Sequence, residues 1–95
     1  IDLLLESPAF QLTLDVGHDH AIKNIDLPVI LPRCERLKHM HMHDAVGTRV
    51  HLALGDGEMN IPAYLALAGE HGCRVVLETK TADALRSSVT YLKNL

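Results

Sequence analysis

No run of lysine or arginine marks this sequence, and with 9 basic against 12 acidic residues its net charge is −3. A phosphate backbone is gripped by clustered cations, so nucleic acid is a poor partner. No apolar stretch is long enough to cross a bilayer, because a charge interrupts each one. The opening Ile1-Asp2-Leu3-Leu4-Leu5-Glu6 has neither the basic flank nor the cleavage site of a signal peptide. A soluble chain with no membrane partner is therefore expected. Cysteine is scarce: Cys34 and Cys73 stand far apart and no Cys-x-x-Cys pair exists. Zinc-ribbon and dithiol chemistry lack support, and two isolated buried thiols fit a reducing, cytoplasmic compartment. An initial methionine is also missing, which fits a chain cut from something longer.

What is present is enough apolar material for one core, 47% of 95 residues. Below roughly 100 residues burial is marginal, so one domain or part of one is expected. The organising stretch is Leu37-Lys38-His39-Met40-His41-Met42-His43-Asp44. Its histidines sit two apart, so on a strand the imidazoles share one face and Met40 and Met42 the other. On a helix the same residues would fan out by about 100° per position and never converge. A strand of this kind, apolar towards outer helices and polar towards a mouth, suits a barrel.

Two further segments repeat that design. Phe10, Leu12 and Leu14 alternate with polar partners up to Asp15, and a Gly-containing turn rich in possible ligands follows, Val16-Gly17-His18-Asp19-His20. Arg74 to Glu78 places Val75 and Leu77 on one face and ends in an acid. Between the strands, Ser7-Pro8 breaks a helix end, Ala21 to Leu27 reads as loop, and Pro28 opens a short element that Pro32 kinks. Ala45 to Asn60, with Gly47, Gly55 and Gly57, reads as a long loop over the strand end. Asn60 caps a helix with Pro62 in its first turn, carrying Ile61, Leu65 and Ala68 to a stop at Gly72. Thr81 or Asp83 caps the last helix, with Leu85, Val89 and Leu92 as its apolar stripe. Strand alternating with helix implies parallel strands, so Asp15, His41 and Glu78 should emerge at one C-terminal sheet edge.

In that order and spacing, Asp15-Val16-Gly17-His18, His39-Met40-His41-Met42-His43-Asp44, Leu54-Gly55-Asp56-Gly57-Glu58 and Val75-Val76-Leu77-Glu78 resemble the xylose isomerase-like TIM barrels. These are the sugar phosphate isomerase/epimerase family, which shares its fold with endonuclease IV. The resemblance covers nearly the whole chain. It implies an α/β fold in which residues 1–95 form the C-terminal part, about three βα units, of a single (β/α)8 TIM-barrel domain with parallel strands. It implies a divalent metal (Mn2+, Mg2+, Co2+ or Zn2+) held by Asp15, His41 and Glu78. An earlier glutamate of the family pattern has no counterpart among these residues. Glu78 is then both ligand and catalytic acid/base, and His18 is the catalytic histidine that approaches substrate oxygen or a second metal.

The implied activity is isomerisation or epimerisation of a sugar or sugar derivative by proton transfer through a metal-stabilised enediolate. The segment alone is expected to be inactive, because half of the acid/base pair is missing. Its partner is a small-molecule sugar, and pairing with another copy would cover open sheet edges. Two alternatives stay open: a metal-dependent hydrolase of the endonuclease IV kind, and a non-catalytic metal- or polyol-binding domain of the same fold. Against the hydrolase, its Asp-x-His-Glu motif is matched here by Arg49-Val50-His51-Leu52, without either acid. Arg49 is read as an exposed loop residue or as a contact for a substrate phosphate or carboxylate. His39 and His43 are assigned packing or supporting roles, because one strand usually offers a single side chain at the right depth.

Overall fold

A computed structural model describes all residues, Ile1–Leu95. Three parallel strands, β1 (Leu12–Asp15), β2 (Leu37–Met42) and β5 (Arg74–Leu77), form a sheet in the order β1-β2-β5. In register, Asp15 pairs with His41 and Met42 with Leu77, so the C-terminal ends of the three strands lie side by side. The expected parallel α/β arrangement is present. No helix is long and apolar enough to cross a membrane.

Alternation decides which side of the sheet is packed. Leu14, Met40 and Met42 are fully buried, with Leu12 and Leu77 packed beside them. Helix α4 (Ile61–His71) lies on that side and contributes Ile61 and Ala68. Its boundaries follow the expected chemistry: Asn60 accepts from the Ala63 amide at 3.3 Å, Pro62 sits in the first turn, and Gly72 ends it with φ +63°. The opposite face, with Thr13, His39, His41, Arg74 and Val76, is covered by no element and stays half-buried to exposed. A parallel sheet is ordinarily covered on both faces.

The amino-terminal segment is tied down by two arginines, of which Arg33 donates to both Asp2 carboxylate oxygens at 2.6 and 2.8 Å. After the short α1 (Asp2–Leu5), Arg36 donates to the carbonyls of Leu5, Ser7 and Phe10. Phe10 is half-exposed and β1 begins two residues later than the alternation suggests. The proline-interrupted stretch folds as α3 (Leu27–Ile30) running into a 3₁₀ segment, Leu31–Arg36, that is broken at Arg33.

Three expectations are corrected. Val16–Ala21 is not a turn but a helix, α2, because the Asp15 side chain accepts the His18 amide at 3.0 Å and caps it. The expected loop after His43 contains an antiparallel hairpin, β3 (Asp44–Val46) with β4 (Arg49–Leu52), turned by Gly47 at φ +56°. The third correction concerns α5 (Ala82–Lys93), which Thr81 caps by accepting from the Ala84 amide at 3.0 Å. Leu85 and Val89 of its supposed apolar stripe are 44% and 39% exposed, whereas Ser88 is fully buried. Ser88 turns inward because its hydroxyl accepts from the Leu54 amide at 3.0 Å and donates to the Ala84 carbonyl at 2.8 Å.

Candidate metal centre

Strands β1 and β5 flank β2, which puts them roughly 10 Å apart at about 4.8 Å per strand spacing. Their terminal acids nevertheless meet. Asp15, Glu78 and His43 each present a ligating atom within 4.8 Å of the other two. His41, next to Asp15 in register, places Nδ1 2.7 Å from Glu78 Oε1. The four side chains share the open face and the C-terminal edge of the sheet. No lysine or arginine forms an ion pair with either acid, whose nearest basic neighbours are all imidazoles.

Helix α2 and the hairpin supply the remaining members. His18, on the first turn of α2, brings Nδ1 to 2.9 Å from Asp15 Oδ2. His51 comes from β4, where it holds a left-handed backbone of φ +60°. His18, His43 and His51 form a second set of ligating atoms within 4.8 Å of one another. Their rings pack together: His43 stacks on His51 with centroids 4.2 Å apart, and His18 meets both edge-on at 5.0 Å.

Hydrogen bonds fix where the protons lie. A carbonyl only accepts, so the 3.0 Å contact of His51 Nδ1 with the Glu78 carbonyl puts the His51 proton on Nδ1 and leaves Nε2 with its lone pair. His41 and His18 each bring Nδ1 within 2.7 to 2.9 Å of a carboxylate oxygen, close contacts that by themselves assign no proton. Anchoring one ring nitrogen on a carboxylate or carbonyl while the other is free is the usual setting of a metal-binding histidine. Burial alone would push the Asp15 carboxyl up, but the His18 amide and then the His43 imidazole outweigh it and hold its pKa below the ordinary value. The His43 pKa is lowered as well, for a different reason: burial pushes its imidazole down, and the Asp15 carboxylate offsets this only in part.

Carboxylates with imidazoles and no thiolate fit a divalent cation of the Mn2+, Mg2+, Co2+ or Zn2+ class. Beside the cluster a cleft of about 660 Å³ opens, lined by Arg49, His51, Asp56, Lys80 and Thr81 among others. Arg49 is exposed at this cleft and makes no ion pair.

The expected site residues thus fall into one place, with one difference of membership. Asp15, His41 and Glu78 lie on the same edge, but the residue grouped most tightly with both acids is His43, while His41 joins through Glu78. His39 lies two residues earlier on β2, paired with Thr13 and Arg74, away from the cluster. Strand depth assigns His43 only a supporting role, and no spacing signal marks His51. In a parallel register that pairs Asp15 with His41, the residue two further along β2 leans over the end of β1, and this is the one signal that singles out His43.

Gly55 and Gly57, which resemble a phosphate-cradling pair, surround an internal carboxylate instead. Asp44, fully buried, accepts from the amides of Ala45, Gly55 and Met59 at 2.9, 3.0 and 3.2 Å. A Cβ on Gly57 would strike the Asp44 carboxylate. Glu58 is likewise more than a free surface charge: it reaches His20 at 3.2 Å and the Gly47 amide at 3.1 Å, tying α2 to the hairpin.

Comparison of the chain with models of known protein families, with curated proteins and with solved structures gives no match in any of the three.

Proposed function

We propose that this chain carries the metal-holding edge of a (β/α)8 barrel enzyme that isomerises or epimerises a sugar or sugar derivative. The carrying observation is the approach of the Asp15 and Glu78 carboxylates from two non-adjacent strands to within 4.8 Å, with imidazoles around them and no lysine or arginine to neutralise them. Two like charges that close repel unless a cation or a shared proton intervenes. The uncovered face of the parallel sheet supports the barrel, because closing the sheet on itself turns that face inward.

When bound, a divalent cation stabilises the negative charge that develops on oxygen as a proton leaves the carbon beside a carbonyl. The chain's own residues do the rest. Asp15 and Glu78 supply carboxylate oxygens, and His41 supplies an imidazole oriented by Glu78. Glu78 is the acid/base, with a carboxylate partly open to solvent. His18, the most exposed imidazole of the cluster, contacts substrate oxygen. Proton transfer by such a group is typically worth about two to four orders of magnitude in rate.

Mn2+ titration followed by water-proton relaxation tests the reading. The protein should bind Mn2+ and lose that binding in Asp15→Ala, and a ketose or aldose should displace water from the bound ion. Failure to bind Mn2+ or Zn2+ removes the metal centre itself. Binding of the ion with no response to any sugar removes the isomerase reading and leaves the centre standing.

One observation favours a second reading, a zinc-dependent hydrolase of the endonuclease IV kind: His18, His43 and His51 form an imidazole-rich set beside the first. Zn2+-dependent cleavage of DNA at an abasic site would select it. The net charge of −3 and the absence of a basic groove weigh against it.

A further inference from the structure

His43 belongs to both groups of ligating atoms and would, by position alone, be the shared ligand of any bound ion. Its hydrogen bonds say otherwise. Nδ1 receives the backbone N–H of His51 at 2.8 Å, and an amide nitrogen only donates, so Nδ1 carries a lone pair and no proton. Nε2 lies 2.8 Å from Asp15 Oδ1, and an ionised carboxylate only accepts, so Nε2 carries the proton. Both nitrogens are occupied within the protein. This is the reverse of the tautomer found in His51, whose Nδ1 donates and whose Nε2 is free.

The ring is also boxed in. It has no exposed surface, His51 stacks on it at 4.2 Å, and a Cβ on Gly17 would run into its Cε1 and Nδ1 atoms. Glycine at position 17 is therefore the condition for the ring to lie where it does. Coordination through Nδ1 would strand a buried amide, and coordination through Nε2 would strip the donor from Asp15.

We infer that His43 is a positioning residue rather than a ligand: a neutral imidazole that holds Asp15 by one oxygen and fixes the left-handed backbone of His51, so that one residue of β1 and one of β4 are held against the same ring. The metal-binding part of this inference rests on the metal centre proposed above; the tautomer does not. Through His51 the clamp extends to the end of β5, because the His51 ring donates to the Glu78 carbonyl at 3.0 Å. One buried ring thereby sets the relative placement of the ends of β1, β4 and β5.

The test combines imidazole nitrogen NMR with Zn2+ titration of three variants. In the metal-free protein His43 should show the Nε2–H tautomer, and its two nitrogens should keep their shifts when Zn2+ saturates the protein, while those of His41 or His51 move. His43→Gln, which keeps an N–H directed at Asp15, should bind Zn2+ within tenfold of the parent. His43→Ala should lose about 10- to 100-fold, and Asp15→Ala should lose more. A Zn2+-induced coordination shift at either His43 nitrogen overturns the inference, as does a His43→Gln variant that binds no better than Asp15→Ala. If the parent binds no Zn2+, the metal centre falls, and the tautomer in the metal-free protein still decides the clamp: an Nδ1–H form refutes it.

Discussion

Two carboxylates, Asp44 fully buried and Asp15 half-buried, do different work in this protein, and the difference lies in what surrounds each. Asp44 takes three backbone amides and nothing else, so it orders the segment from Ala45 to Met59. Removing it strands buried donors, at about 1–3 kcal/mol for each group left unsatisfied. We expect Asp44→Ala to lose at least about 2 kcal/mol in urea unfolding. Asp15 instead accepts one amide and the His43 imidazole on the same oxygen, and its second oxygen lies 2.9 Å from His18 Nδ1. Its pKa and that of His43 are both lowered on folding, so in each case the unfolded chain binds more protons and acid destabilises. The His43 contribution is complete above its unfolded value of 6.5 and fades as pH falls through the lower folded value. The Asp15 contribution is complete above 3.8 and fades below that. Stability of the metal-free protein should therefore start to decline below about pH 6.5 and decline again below about pH 4. A flat profile between pH 7 and 5 would contradict the His43 assignment. Asp15, His18 and Glu78 were legible because each ends a strand or opens the turn after one. For His43 a supporting role was legible from its depth on the strand, but its contact with Asp15 was not, because that comes from the neighbouring strand's register and from the glycine beneath it.

At the level of elements, the legible parts were those whose signals are local. Helix α4 carries its own cap, proline and terminating glycine, and β1 carries the alternation of Leu12 and Leu14 with polar neighbours. The hairpin went unseen because its turn is held by Glu58, eleven residues further on, and α2 because its local cap, Asp15, reads equally well as a strand-end ligand. Helix α5 is the instructive case, since apolar spacing pointed to Leu85 and Val89 while packing selected Ser88 with Tyr91 and Leu92 beside it. A buried hydroxyl that serves a neighbouring amide is invisible to a hydrophobic pattern. Ser88→Ala should accordingly cost about 1–3 kcal/mol by orphaning the Leu54 amide, and Leu85→Ala under about 1 kcal/mol, given its exposure. Chemical denaturation of the two variants gives the ranking, and the reverse order would mean that Leu85 has a covering partner.

Across the whole molecule, only 16 of 95 residues are buried, and both outer strands of the parallel sheet present an unpaired edge. Val75 and Val76 on β5 and Leu85 and Val89 on α5 are among the exposed apolar side chains. Edges of this kind are where further strands add. We expect the mass seen by sedimentation to rise with concentration, and Val76→Lys to lower that tendency. A monomer at all concentrations would leave the edges to another partner. Parallel order was legible from the alternation of strand and helix. What meets the open edges and the uncovered face was not, because an edge strand carries no local mark of its partner.

One position carries a trade that follows from its backbone. His51 adopts a geometry that glycine enters freely and that costs an L-residue about 1–2 kcal/mol. A glycine there would relax the chain while removing a nitrogen, so His51→Gly should fold nearly as well as the parent and hold a cation less well. Thermodynamic comfort and chemical usefulness then pull in opposite directions at a single residue.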